Sequence, residues 1–284
     1  MRKLWFPLAA ALVAIPVPTL VGQTPDAVQV MSSAREALGG EKKLSAVRTF
    51  TATGRTRQVR GNNLVPIEFE INCELPDKFV RKDEIPAQDT DPSTRGFNGD
   101  TLIQFPAPGA GRGGGRPGGP PLGAPPPAAA PGRASGPPPG GGRGPGGPIP
   151  PIIAVKQDFA RLMLGMFAAS FPSVPLTFKY AAVGEAPEGK ADILDVTGPA
   201  NLSMRFVVQR DTHLPVMLMW SAPAPGQPAP AEQRMYFADY REVDGLKLPF
   251  RIRRAVGADT IEETTFDRFR INGKIDPRKF ETPK

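Results

Sequence analysis

From Thr49 onward the apolar residues recur at every second position in segment after segment, a period that suits β-strands and no helix. Leu64 to Glu74 is the clearest case: Ile67, Phe69, Ile71 and Cys73 point one way, and Glu68, Glu70, Asn72 and Glu74 the other. The spacing predicts strands at Thr49 to Arg60, Leu64 to Glu74, Lys78 to Glu84 and Leu102 to Phe105, with a polar loop at Asp91 to Arg95 and an Asn98-Gly99 turn. Further on it predicts Leu176 to Val183, Ala191 to Val196, Leu202 to Gln209, Pro215 to Ser221, Gln233 to Glu242, Leu246 to Arg254 and Thr260 to Ile271, separated by Gly, Asn, Asp and Pro turns. Met204, Phe206 and Val208 alternate with Arg205 and Gln209, and Leu248, Phe250 and Ile252 with Arg251 and Arg253. Short strands at this spacing predict an antiparallel meander wrapped around a single apolar face.

One interior stretch breaks that period. In Ile152 to Phe171, residues Ile152, Val155, Phe159, Leu162, Met163 and Met166 fall at three- and four-residue steps, with Lys156, Gln157, Asp158 and Arg161 opposite. Leu162 to Ala169 is apolar all round, so this half of the helix needs cover from the domain and from something beyond it, protein or greasy ligand. Pro150-Pro151 and Pro172 bracket it as hinges, which makes it a candidate lid. Near the N-terminus, Pro25 to Leu38 reads as a first helix, with Val28, Met31, Ala34 and Leu38 as its buried stripe and Gly39-Gly40 as its stop.

The chain begins with Arg2-Lys3, then an apolar run from Leu4 to about Val17 and small or neutral residues around Gly22. That is the layout of a secretory signal peptide over residues 1–22, cut near Gly22 or Gln23. The run is shorter than the ~20 residues a spanning helix needs and is broken by Pro7, Pro16 and Pro18, so no membrane anchor is expected after cleavage. The expected location is the periplasm or another exported, soluble compartment. The lone cysteine, Cys73, leaves stability to packing.

Residues 106–151 hold 16 Gly and 16 Pro, too many to pack, so this segment reads as a disordered insertion in one domain. Residues 23–105 would supply the first helix and first strands, and residues 152–284 the lid helix and the remaining strands. Arg112, Arg116, Arg133 and Arg143 carry four of the seven net positive charges, and Arg2 and Lys3 two more. The folded part is therefore nearly neutral, which argues against nucleic acid as a partner. Two uses of the insertion stay open: a tolerated loop, or a tether to the cell wall or an envelope protein.

No constellation for catalysis stands out, and the chain is expected to be no enzyme and to need no cofactor or metal. His213 is the only histidine and sits in a turn sequence; Cys73 continues a dry strand face; Glu68, Glu70 and Glu74 share a wet face at period two rather than converging as a cation cage. The apolar residues leave a choice between an ordinary core and a cavity lining, with methionine suiting variable apolar partners.

Several stretches look familiar. Leu38-Gly39-Gly40, Pro76 to Arg81, Gly96 to Asp100, Tyr236 to Pro249 and Asp276 to Phe280 resemble the outer-membrane lipoprotein-sorting protein (LolA/LolB-like) superfamily, as a divergent member with a Gly/Pro-rich insertion. The resemblance covers nearly all the chain after the leader apart from that insertion. It implies an α+β fold: a strongly curved antiparallel β-sheet, an unclosed half-barrel, with helices covering the concave face. It implies a cavity for lipid or lipoprotein acyl chains, or the same scaffold with a filled core in envelope structure or stress sensing. With the resemblance added, the expected ligand lining is Ile67, Phe69, Ile71, Phe159, Leu162, Met163, Met166, Phe167, Met204, Phe206, Val208, Leu248, Phe250 and Ile252.

Overall fold

The computed structural model describes residues 26–86, 88, 90–107, 149–223 and 229–282. The leader reading at 1–22 lies outside the described residues, as does the insertion reading except at 106–107 and 149–151.

Two short helices, α1 (Ala27–Ala37) and α2 (Glu41–Ser45), precede the strands. Five strands follow: β1 (Thr49–Arg60), β2 (Asn63–Glu74), β3 (Lys78–Glu84), β4 (Ser93–Asn98) and β5 (Thr101–Phe105). Helix α3 (Pro151–Phe167) comes next. Then come β6 (Thr177–Ala186), β7 (Gly189–Gly198), β8 (Leu202–Gln209), β9 (Pro215–Ala222), β10 (Ala231–Val243), β11 (Leu246–Val256) and β12 (Asp259–Ile271). A short 3-10 helix, Pro277–Phe280, ends the described chain.

All twelve strands form one antiparallel sheet in the order β5-β4-β3-β2-β1-β12-β11-β10-β9-β8-β7-β6. Two meanders are thus joined where the first strand pairs with the last, Phe50 opposite Ile271 and Gln58 opposite Glu262. The sheet does not close, since β5 and β6 are its two edges. The chain leaves the sheet at one edge and re-enters at the other, and α3 lies on that path.

Contacts of α3 show how strongly the sheet curves. The helix touches β4 and β5 on one side and β9 and β11 on the other. Six strands separate β4 from β9, about 34 Å in a flat sheet at ~4.8 Å per strand, whereas a helix is only about 10–12 Å across. The sheet must therefore curl around α3, which lies in its concave side. Bulges at Thr53/Gly54, Tyr180/Ala182, Val207/Val208 and Arg254/Ala255 add twist and bend to the strands that do this. The result is the α+β unclosed half-barrel that the resemblance implied.

The helix is pinned at both sides. Lys156 Nζ donates to Asp100 in the β4–β5 turn at 2.7 Å, and Gln157 Nε2 to the Ala200 carbonyl in the β7–β8 turn at 3.2 Å. Gly165 is where the helix comes closest to the sheet: a Cβ added there would penetrate the Phe237 ring of β10. The main core is continuous from α1 through Phe50 and Phe69 to Phe159, Met163, Met166, Phe206 and Leu248.

Several local expectations change. Residues Ser93 to Arg95, expected in a loop, belong to β4, which pairs with β3 and β5 and buries Thr94 and Phe97. Its polar residues hid a strand whose ladder bonds come from both neighbours. Helix α3 stops at Phe167 rather than Phe171, with Ala168 left-handed at φ 45°. Arg35 of α1 explains the early stop, since its Nη1 donates to the carbonyls of Phe167 and Ala168, each at 3.2 Å, where the helix dipole favours a cation.

The buried stripe of α1 is Val30, Ala34 and Leu38, with Met31 half-buried, while Val28 is 77% exposed. The sheet is also not dry on one face only. On the outer face, Ala191, Val207, Val216 and Met217 form a second cluster, and Phe280 of the 3-10 helix covers Val80 and Ile103. The former lies among the strands themselves, whereas the latter is apolar because the 3-10 helix returns to cover it.

Candidate functional site

Part of the polar side of α3 turns into the fold, while Asp158 stays exposed. Gln157 and Arg161 are buried, and from Phe159 to Phe167 only Leu162 is not fully covered. Sheet and α1 together cover the stretch that the sequence shows as apolar all round. Phe159 carries the centre, its ring 5.2 Å from Phe97, 5.5 Å from Phe79 and 5.8 Å from Phe171.

Most of the expected lining residues lie in this packed interior. Phe69, Phe159, Met163, Met166, Met204, Phe206, Val208, Leu248 and Phe250 belong to the continuous core, none of them more than 7% exposed. The remaining five border open space. Ile67, Ile71, Leu162 and Ile252 line a cavity of ≈ 300 Å³ beside the first half of α3. Phe167 lines a cavity of ≈ 800 Å³ beyond the helix C-terminus.

The larger cavity is walled by α1, α2, the β2–β3 turn, the segment after α3, and β6. Val28, Met31, Val47, Leu75, Phe167 and Phe178 give it apolar walls, and the exposed Val28 stands at its edge. Arg35 and Glu41 supply a polar margin as a bidentate ion pair, and hydrogen bonding to Arg35 holds the Glu41 carboxyl below its usual range. Because Arg35 also caps α3, one side chain connects this cavity's wall to the end of the central helix. Lys247 N donating to the Leu38 carbonyl at 2.9 Å, and Lys43 Nζ to the Gly245 carbonyl at 3.2 Å, fasten the α1–α2 corner onto the β10–β11 turn. Sequence reading named only Phe167 of this cavity, because its walls come from five separate segments with no shared periodicity.

The smaller cavity has a floor of buried apolar residues, including Ile67, Ile71, Phe79, Ile252 and Phe266. Arginines and carboxylates from β1, β3, β4, β11, β12 and α3 surround that floor. Arg161 lies one step along α3 from Leu162, its guanidinium 4.6 Å from the Trp220 ring and 3.0 Å from Asp158 Oδ1. Burial draws its pKa below the usual arginine range; Asp158 opposes that shift and Arg254 adds to it.

The residues weighed for chemistry are placed otherwise. His213 is exposed in a turn at φ 57°. Burial pushes the Cys73 thiol well above its usual range, away from the thiolate that acts as nucleophile. Glu70 bonds Lys279 at 2.9 Å and Glu74 bonds Lys78 at 2.8 Å, so these two are spent on ion pairs, while Glu68 is exposed. Among the described residues no group of three or more His, Cys, Asp or Glu is placed to hold a metal ion, and no helix is long and apolar enough to cross a membrane.

No family model matches the chain, and no curated protein matches it in sequence. Solved structures do. The LolA superfamily protein NE2245 from Nitrosomonas europaea is 11% identical, over 91% of this chain and 99% of that one, with a TM-score of 0.53. A putative outer membrane lipoprotein-sorting protein domain from Vibrio parahaemolyticus is 7% identical over 88% and 95% of the two chains, with a TM-score of 0.48. A DUF1329 family protein from Desulfovibrio piger is 9% identical over 91% and 98%, with a TM-score of 0.45. The resemblance read from the sequence therefore holds for the fold: this chain, with its half-barrel wrapped around α3, is similar in architecture to the LolA superfamily protein.

Proposed function

We propose that this protein is an exported, non-enzymatic carrier that holds an acyl chain of a lipid or lipoprotein in the cavity at the C-terminal end of α3. The supporting observation is that cavity of ≈ 800 Å³, walled by apolar side chains and bordered by the exposed Val28. Its size lies within the range of small-molecule sites, about 300–1,000 Å³. Burying a methylene is worth ~0.8 kcal/mol, so about ten of them supply roughly 8 kcal/mol before the cost of association is deducted. An apolar wall suffices for such a ligand, and no polar code is required.

The packed interior favours a second reading, an envelope structural or stress-sensing protein with a filled core and a Pro/Gly-rich tether. Nine of the expected lining residues already touch one another in place of a ligand. Organic extraction and mass spectrometry of the protein purified from its native envelope separate the two. Co-purified acyl lipid, reduced in Met31→Trp, which narrows the cavity, is expected for the carrier. Finding no lipid, with no displacement of an apolar dye by fatty acyl probes, leaves the filled-core reading.

A further inference from the structure

We propose that the outer face of the sheet carries a separate site, a cavity of ≈ 260 Å³ at the β6–β7 turn, and that it takes a small zwitterion, an amino acid or a short peptide with both ends free. The cavity lies on the side of the sheet away from α3. Successive side chains of a strand point to opposite faces, and Phe237, next to Tyr236 on β10, turns its ring towards α3 at Gly165. Tyr236 therefore faces outward. Its half-buried ring and the buried Val216 of β9 form an apolar floor. Arg251 and Arg253 of β11, Glu263 of β12 and the turn residues Pro187 and Glu188 complete the walls.

The turn is held in place. The buried Gln209 donates from Nε2 to the Glu188 carbonyl at 3.0 Å, and the Arg210 N–H donates to the Lys190 carbonyl at 2.9 Å. A cavity with a fixed wall asks little ordering of the protein when a ligand enters.

Four charged side chains line this space, and two of them answer each other. Arg251 lies 3.7 Å from Glu263. The other two are left over. Among the described residues, neither Arg253 nor Glu188 has an oppositely charged group within 4.0 Å. Arg253 sits over the Tyr236 ring instead, its guanidinium carbon 4.4 Å from the centroid. A guanidinium that stacks by its face still donates from its edge, in a fork that suits a carboxylate. Glu188 is exposed on the turn and offers an acceptor to an ammonium.

One unpaired cation and one unpaired anion favour a ligand that carries one of each. A simple anion gains at Arg253 but is repelled by Glu188 and Glu263, and a simple cation gains at Glu188 but is repelled by both arginines. The floor of Tyr236 and Val216 suits an aliphatic side chain between the two charged ends. Size sets the limit. The volume is about nine times the ~30 Å³ share of a water molecule in the liquid, room for one or two residues rather than a longer peptide.

Chemical-shift titration of the isotope-labelled full chain with leucine and leucyl-leucine tests the site, the tighter of the two giving the ligand's length. That zwitterion should move the signals of Tyr236 and Arg253, and should bind about ten-fold or more tightly than its N-acetylated or its C-amidated form. Glu188→Gln should level it with the N-acetylated form while leaving the preference for a free carboxylate. Arg253→Gln should level it with the amidated form while leaving the preference for a free ammonium. Both side chains are exposed, so the fold should tolerate either change. Met31→Trp, in the larger cavity, should alter none of this. Failure of both probes to bind overturns the proposal, as do shifts confined to the concave side or equal affinity for the zwitterion and its two capped forms in the unaltered protein. Neither result bears on whether the larger cavity carries an acyl chain.

Discussion

Around the middle of α3, at Phe159, Met163 and Met166, every neighbour is another side chain; at its flanks the walls fall away. Beside Asp158 and Leu162 a cavity of ≈ 300 Å³ opens, and beyond Phe167 one of ≈ 800 Å³. The same helix thus serves as core on one side and as cavity wall beside Leu162 and beyond Phe167. The curl of the sheet explains the difference. Strands from both halves converge on the middle of the helix, whereas at its C-terminal end the cover comes from α1, α2 and loops, which are too thin to fill the space. The greasiest residues of such a chain mark the core, and the larger cavity lies where the helix runs out of sheet.

The most damaging way to break the contrast is to hollow out the centre. Phe159→Ala should cost about 3–5 kcal/mol, because the ring touches three other phenylalanines and the surrounding shell relaxes only in part. Urea unfolding monitors it, and a cost below about 1 kcal/mol would mean that the centre is as loosely filled as the ends.

Next comes Gly165→Ala. Helix propensity alone predicts a gain of nearly 1 kcal/mol, but the new Cβ meets the Phe237 ring, and overpacking of this kind costs about 1–3 kcal/mol. Net destabilisation is expected, and it should shrink when Phe237→Ala is present. Additive effects of the two changes would show that the close approach at Gly165 is not the cause.

At the helix end the effects are smaller. Arg35→Met removes the donor to the Phe167 and Ala168 carbonyls and should cost about 1 kcal/mol. If the larger cavity binds apolar probes, their affinity should also fall, because its wall loses its link to α3. A drop in stability with probe affinity unchanged would separate the cap from the cavity.

The smallest effect is expected at the far edge, where the 3-10 helix covers the outer face. Asp276 accepts from the Arg278 guanidinium at 2.6 Å and from its backbone N–H at 3.0 Å, and these bonds lower its pKa to about 2. A depressed carboxyl stabilises the fold above its ordinary range, near 3.8, and loses that contribution as pH falls towards 2. The stability gap between the protein and Asp276→Asn should therefore be small at neutral pH, narrow below about pH 4 and close near pH 2. A gap independent of pH would assign it to packing of Phe280 instead.

How much of this was legible follows the range of each interaction. Alternation along β2, β8 and β11 marked concave-facing residues correctly, because period two is a local property of an extended chain. Strand β4 escaped because Ser93, Thr94 and Arg95 read as polar, and only pairing with β3 and β5 makes them a strand. The end of α3 escaped because its capping group, Arg35, lies 132 residues away in sequence. Arg161 read as part of a wet face, yet it is buried against the Trp220 ring, a contact that depends on where β9 falls against the helix.

The sequence by itself determined the inventory: antiparallel strands with one dry face, a single long interior helix, and enough apolar surface on that helix to demand cover from all sides. These follow from backbone period and side-chain hydrophobicity, which act over a few residues. Only the tertiary structure decided which greasy residues became core and which became cavity wall. That choice depends on the curl of a twelve-stranded sheet and on which distant segment covers each end of α3, and close packing that excludes voids at the centre is a property of the whole assembly rather than of any one segment.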